Sequence, residues 1–256
     1  MLELIDSHIE KMLTLYTQGE YFERLKQAKE TYIGLTGKLD EDKDEFESRM
    51  HCFNEWYLFQ WKDDSGKKLV EDYIRREQLD EDLSQAFHNV NHTLLEFSKV
   101  NFRRQIVLKD ILHDEKVALA KGHKNIGLVE DDLFIGRVIR YKTESFLLHG
   151  VCTLPQTTRS ILKKQSKKIR KMNSFEEELR FLLNLESLKT KSMHYQHIEP
   201  TKIFVFTWLA PLADQPWNKA QNVEGHGDNE VHVEKIRTIH LTRKSKQRLK
   251  GSMANA

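Results

Sequence analysis

The residues most able to do chemistry in this sequence are cations. Lys163, Lys164, Lys167, Lys168, Arg170 and Lys171 crowd one short stretch, with no acid between Arg159 and Lys171. On a helix such a run can neutralise several phosphates at once, and binding of that kind weakens steeply with salt. Ile161, Gln165, Ile169 and Met172 recur at helical spacing and are expected to form its inward stripe. A solvated face, or one paired with an acidic N-terminal half, accounts for the run equally well. The C-terminal tail repeats the theme, since Lys235, Arg237, Arg243, Lys244, Lys246, Arg248 and Lys250 follow one another without an acid. Basic tails attract phosphate backbones irrespective of sequence, and they also serve as solubilising ends.

Two arginines form a second candidate. Arg137 interrupts the alternation Leu133, Ile135, Ile139, Tyr141, which otherwise points to an apolar interior. A charge on such a face must be paired or must meet a ligand, because its desolvation is costly. Arg137 is therefore an anion-site candidate, with Arg140 on the opposite face of the strand. An ion pair with Glu130, Asp131, Asp132 or Glu144 is the simpler reading. A cyclic-dinucleotide site of the PilZ kind would also need Asp-x-Ser-x-x-Gly after the arginines, which is missing.

Metal and covalent chemistry find less support. His194 and His197 share a helix face, but no third ligand has convincing spacing, and His226 and His232 lie in a glycine-rich stretch. Cys152 lies three residues from His149, and on a strand such side chains project to opposite faces. The sequence has no Gly-x-Ser-x-Gly elbow, no phosphate-cradling glycine loop and no dinucleotide fingerprint. The expectation is no metal site, no cofactor and no enzyme activity.

The elements that must position these residues divide by period. Ile5, Ile9, Met12, Leu13 and Tyr16, then Tyr21, Leu25, Ala28, Tyr32 and Leu35 after Gly19, predict two helices. Asp40-Glu41-Asp42 offers N-caps for a third, which ends in the cluster Phe53, Trp56, Tyr57, Phe59 and Trp61. Neighbouring aromatics on a helix point several ways, so the cluster reads as the place where helices meet and not as a stacking platform. A short helix carrying Leu69, Val70, Tyr73 and Ile74 follows.

From about residue 93 the period becomes that of strands: 93–100, 105–111, 116–120, 133–141 and 145–153, a count that fits OB-like, SH3-like and PilZ-like barrels. Beyond Pro155 come helices over 156–172 and 174–191, the second opened by a Ser174/Glu177 capping box. Residues 203–206 read as extended.

The predicted fold class is α+β. A helical N-terminal domain (1–92) precedes a small antiparallel β-barrel-like domain (93–155), helices and an extended segment packed on it (156–210), and a flexible linker with basic tail (211–256).

This order of features resembles a set of uncharacterised bacterial cytoplasmic proteins. The resemblance rests on Phe53-Asn54-Glu55-Trp56-Tyr57-Leu58-Phe59, Leu108-Lys109-Asp110-Ile111-Leu112, Asp131-Asp132-Leu133-Phe134-Ile135-Gly136-Arg137-Val138 and His194-Tyr195-Gln196-His197-Ile198, within roughly residues 50–200. It implies an architecture and assigns no site residues.

Composition sets the outer bounds. With 256 residues, 39% of them hydrophobic and 31% charged, the chain can bury a core beneath a heavily charged surface. No run approaches the roughly 18 apolar residues of a membrane span, and Cys52 and Cys152 are too few for a disulfide framework, so a cytoplasmic protein is expected. The net charge of +2 conceals a split: residues 1–102 hold 13 Lys/Arg against 22 Asp/Glu, and the rest 28 against 17. These features point to a non-enzymatic interaction or regulatory module. Its expected partner is another protein, the alternatives are nucleic acid and a small anion or nucleotide sensed at Arg137, and a membrane is not expected.

Overall fold

In the computed structural model, residues 2–38, 45–63, 65–123 and 127–206 are described. Among them five helices come first: α1 (Leu2–Tyr16), α2 (Phe22–Thr36), α3 (Phe46–Phe59), α4 (Leu69–Glu77) and α5 (Glu81–His88). Six strands follow: β1 (Asn91–Val100), β2 (Ile106–Asp110), β3 (Glu115–Ala118), β4 (Leu133–Tyr141), β5 (Glu144–Leu147) and β6 (Cys152–Leu154). Helices α6 (Arg159–Met172), α7 (Phe175–His194) and α8 (Pro200–Ile203) complete the order. Residues Met1–Val205 make one unit, and of a second, Phe206–Ala256, only Phe206 is described. The tail cations and the Asp40-Glu41-Asp42 caps lie outside the described residues.

The helices form where apolar side chains recur on one face. Ile5, Met12 and Tyr16 are buried from α1, and Ala28, Tyr32 and Thr36 from α2. Asp80 caps α5 by accepting from the Leu83 N–H at 2.9 Å, and Ser174 Oγ accepts from the Glu177 N–H at 3.4 Å at the start of α7. Helix α2 stops at Gly37, where φ is 90° and a Cβ would come within 2.8 Å of Thr190 Cγ2 on α7, so turn and packing both require glycine. All five aromatics of the predicted cluster are buried. Their rings join helices: Tyr32 of α2 lies 5.2 Å from Trp56, and Phe87 of α5 lies 6.1 Å from Phe59.

The sheet is antiparallel, ordered β3-β2-β1-β4-β5, with β6 also paired to β4. Beyond β3, Leu119 bridges Ser145, and the Ala120 N–H donates to the Ser145 carbonyl at 2.8 Å. The fold is thus α+β, with a helical N-terminal region and a sheet curled into a half-barrel whose edges touch there. Leu95, Phe97, Leu108, Val117, Phe134, Val138 and Leu147 fill its concave side. Ile135, Arg137 and Ile139 take the other side of β4, and that strand is buried on both faces.

Three expectations change. The segment 145–153 is two strands, because the chain bends at Gly150, whose backbone sits so close to α3 that a Cβ would lie 2.6 Å from Glu55 Oε2 and 3.0 Å from Cys52 Cα. Residues 81–88, which had no assigned element, form α5. The stretch expected to be extended at 203–206 begins as the end of α8, which is followed by a buried Phe204.

Candidate functional site

Helix α6 carries the lysine run and packs beside α7, its side chains reaching β1 and the turn after β2. Its buried residues are Leu162, Ser166 and Ile169. The inward stripe is therefore rotated from the expected Ile161, Gln165, Ile169, Met172; of those four only Ile169 is buried, and Met172 is exposed. A periodic pattern fixes a helix but leaves its phase uncertain when the apolar set is as sparse as here.

The rotation sorts the cations into two groups. Along one flank Arg159, Lys163 and Arg170 meet acids. Arg159 Nη1 lies 3.0 Å from Glu96 Oε1 and 3.2 Å from Asp131 Oδ1, and Lys163 Nζ lies 3.0 Å from Glu96 Oε2. Arg170 Nη1 lies 3.4 Å from Asp114 Oδ2, while its Nε and Nη2 donate to the carbonyls of Leu112 (2.7 Å) and Ile111 (2.8 Å). These acids belong to β1 and to the turns of the sheet; among the described residues none comes from α1–α5. Masking of the run by the acidic helices is thus not what the structure shows.

Lys164, Lys167, Lys168 and Lys171 form the other group. All four are exposed, and none has an ion pair or hydrogen bond among the described residues. At 3.6 residues per turn they fall within an arc of about 100°, diametrically opposite Leu162, Ser166 and Ile169. The row is about 10 Å long, a length over which a nucleic-acid duplex presents about six phosphate charges. Four of its neighbour pairs are like charges at i,i+3 or i,i+4, each unfavourable to the helix by about 0.2–0.5 kcal/mol. Only Lys171 gains from the helix C-terminus.

The arginine candidates separate. Arg140 is exposed, with Nη2 3.4 Å from Glu115 Oε2. Arg137 is 1% exposed and faces α3, where Nη1 lies 3.5 Å from Glu55 Oε2 and Nη2 donates to Gln60 Oε1 at 2.6 Å. None of the four acids expected to pair with it does so. Glu55 Oε1 also accepts from the Gly150 N–H at 2.6 Å, and Gln60 in turn contacts His92 Nδ1 at 3.0 Å. Burial pushes the Glu55 carboxyl up to about 7, against the pull of Arg137 and of the Gly150 N–H. Burial also holds His92 neutral, assisted by the Arg137 charge.

A second buried pair lies on the same helix. Arg49 Nη1 is 3.2 Å from Glu186 Oε2 of α7, and Nη2 donates to Thr190 Oγ1 at 3.1 Å and to the Thr36 carbonyl at 3.3 Å. Tyr32 donates to the same Glu186 oxygen. Helix α3 thus contributes an arginine to α7 and a glutamate to β4, and each buried arginine meets a carboxyl group. Such reciprocal pairs fix the register of packed elements, since breaking either strands a charge in the core.

Among the described residues no group of three or more His, Cys, Asp or Glu side chains is placed to hold a metal. His194 Nδ1 turns back to the Thr190 carbonyl at 2.8 Å. Cys52 and Cys152 are buried free thiols, both pushed up by burial, Cys152 to about 12. Such thiols are poor nucleophiles. Among the described residues no helix is long and apolar enough to cross a membrane.

Sequence reasoning passed over two sets of residues. Glu55 was hidden inside an aromatic run, where only its isolation among buried neighbours hinted at a role. The turn Asn101-Phe102-Arg103-Arg104 lay between two strands and was treated as a connection, although an aromatic beside two arginines was a visible signal.

No curated protein and no solved structure matches the chain. Residues 9–184 match a family of unknown function (DUF7986), and the chain, whose half-barrel and first five helices lie almost wholly within that span, belongs to this family.

Proposed function

We propose that this protein is a non-enzymatic interaction module whose partner is nucleic acid, held through its phosphate backbone by α6. The observation that carries this reading is the row Lys164, Lys167, Lys168 and Lys171, exposed and unpaired among the described residues on a helix whose other flank is neutralised. A row of like charges costs the folded helix stability, and a polyanion laid along it returns that energy while releasing counterions. Lys163 and Arg170, already engaged, serve to seat the helix. In the tail Arg243, Lys244, Lys246 and Arg248 add sequence-independent attraction. Arg137 is buried against Glu55 and Gln60 and takes no part. Two buried free thiols and the lack of any membrane-crossing helix among the described residues are consistent with work in the cytoplasm, bacterial by the resemblance above.

Fluorescence anisotropy with a labelled duplex at low salt tests the proposal on the full-length chain. Wild type is expected to bind, and a variant with Lys164, Lys167, Lys168 and Lys171 each changed to Glu is expected to lose binding while keeping its fold. Equal binding by both proteins, or none by wild type, would overturn it.

A further inference from the structure

Beyond Phe97 the β1–β2 pair runs past the end of β4, with β1 as an exposed edge and Ile106 of β2 still packed on the core and accepting from the Leu119 N–H at 2.8 Å. Its register slips between Phe97 and Lys99, and Ser98, Lys99 and Val100 are all exposed. The ribbon closes in a turn built by Asn101, whose N–H donates to the Gln105 carbonyl and whose carbonyl accepts from the Arg104 N–H, both at 2.9 Å. The Asn101 Oδ1 accepts from the N–H groups of Arg103 (2.9 Å) and Gln105 (3.0 Å). The tip is thereby fixed by its own hydrogen bonds, and nothing in it requires an aromatic side chain.

Phe102 nevertheless projects from it, 90% exposed, the most exposed of the large hydrophobic side chains described. Leaving such a ring in water forgoes about 1.5–3 kcal/mol of burial. Three cations neighbour it in the chain: Lys99, Arg103 and Arg104 are exposed and have no carboxylate partner among the described residues, and the Arg103 guanidinium lies 5.5 Å from the ring centroid. In the turn beside β1, Asp131 is engaged by Arg159 and Asp132 by the Val129 N–H, while Glu130 is exposed.

We infer that this tip is a second nucleic-acid contact, specific for single-stranded segments, in which a base stacks on Phe102 while Lys99, Arg103 and Arg104 take the flanking phosphates. An exposed π-face with cations close along the chain is the unit from which single-strand binders are built. A lipid surface is a poorer fit, since one ring and Val100 are all the apolar surface the tip offers. The inference rests on the nucleic-acid reading but on different residues. The two contacts share one strand, for Glu96 of β1 seats α6 and Phe102 ends the same ribbon.

The test uses the full-length chain with an oligo(dT) of about 12 nucleotides, a duplex, and vesicles of phosphatidylserine and phosphatidylcholine. Phe102→Ala and Phe102→Leu are each expected to weaken oligo(dT) binding about 5- to 150-fold, the worth of one stacked base, and to leave duplex binding unchanged. Phe102→Trp is expected to retain binding, and its emission to be quenched by oligo(dT) beyond any change in wild type. Oligo(dT) binding that is absent in wild type, or undiminished in Phe102→Ala, would overturn the inference. So would vesicle binding lost in Phe102→Ala and kept in Phe102→Leu, which is the signature of insertion into lipid. Duplex binding lost alone, with Phe102-dependent oligo(dT) binding intact, would instead sink the α6 reading and leave this one standing.

Discussion

Glu96 on β1 holds Lys163 of α6 at 3.0 Å, while Lys164, the next residue along, reaches solvent with no partner among the described residues. One carboxylate thus fixes which side of a highly basic helix lies against the sheet and which side remains available. Glu96 is itself 6% exposed and also receives Arg159, so its loss would leave Lys163 without an acid and Arg159 with Asp131 alone.

Glu96→Gln is expected to lower stability by about 1–2 kcal/mol, between the values of a surface pair and a buried one because both partners are partly exposed. It is also expected to tighten duplex binding, since Lys163 is freed to join the row. Denaturant unfolding and anisotropy measure the two effects, and weaker binding in a variant that remains folded would contradict the arrangement.

Gly150→Ala is expected to be among the most damaging single-methyl changes in the chain. The new Cβ would lie 2.6 Å from a carboxylate oxygen that is already fixed and 3.0 Å from the backbone of α3, so neither neighbour can yield cheaply. A loss of about 2–3 kcal/mol is expected from overpacking. A melting temperature equal to that of wild type would mean that the bend does not seat against α3 as described.

Stability is expected to fall as pH rises through neutrality. Glu55 binds its proton in the folded state up to about 7, against an ordinary value of 4.5. The stability this brings is fully present below 4.5 and is lost as pH climbs through 7, a change of roughly 3 kcal/mol. His113 acts in the same direction, because its hydrogen bond to Asp110 holds the imidazolium above the usual histidine range. His92, held neutral by burial, acts in the opposite direction, so Glu55→Gln is expected to remove most of the fall through neutrality. A profile parallel to that of wild type would contradict the role given to Glu55.

Much of the architecture was legible because it depends on local pattern. The span 133–141 was read to the residue, since buried runs bounded by turns announce strands, and the Ser174/Glu177 capping box marked the start of α7. What escaped were relations over distance. Arg137 was recognised as a charge needing an answer, but its partner lies 82 residues away on a helix whose orientation no periodicity encodes. The odd-numbered face of β4 was expected to line the interior of the half-barrel, and both faces prove to be buried, so alternation could not say which was which. The lysine run was legible as a run. Its division into seated and free cations depended on the phase of α6, which acids of the sheet determine.

The most direct test is the salt dependence of duplex binding by wild type and by a variant in which Lys164, Lys167, Lys168 and Lys171 are all glutamine. With four phosphate contacts removed, the slope of log K against log salt is expected to become shallower by about 3.6. The same variant is expected to be more stable than wild type by about 1 kcal/mol at low salt, because the repulsion along the row is gone. Identical slopes for the two proteins would contradict the account, however tightly either one binds.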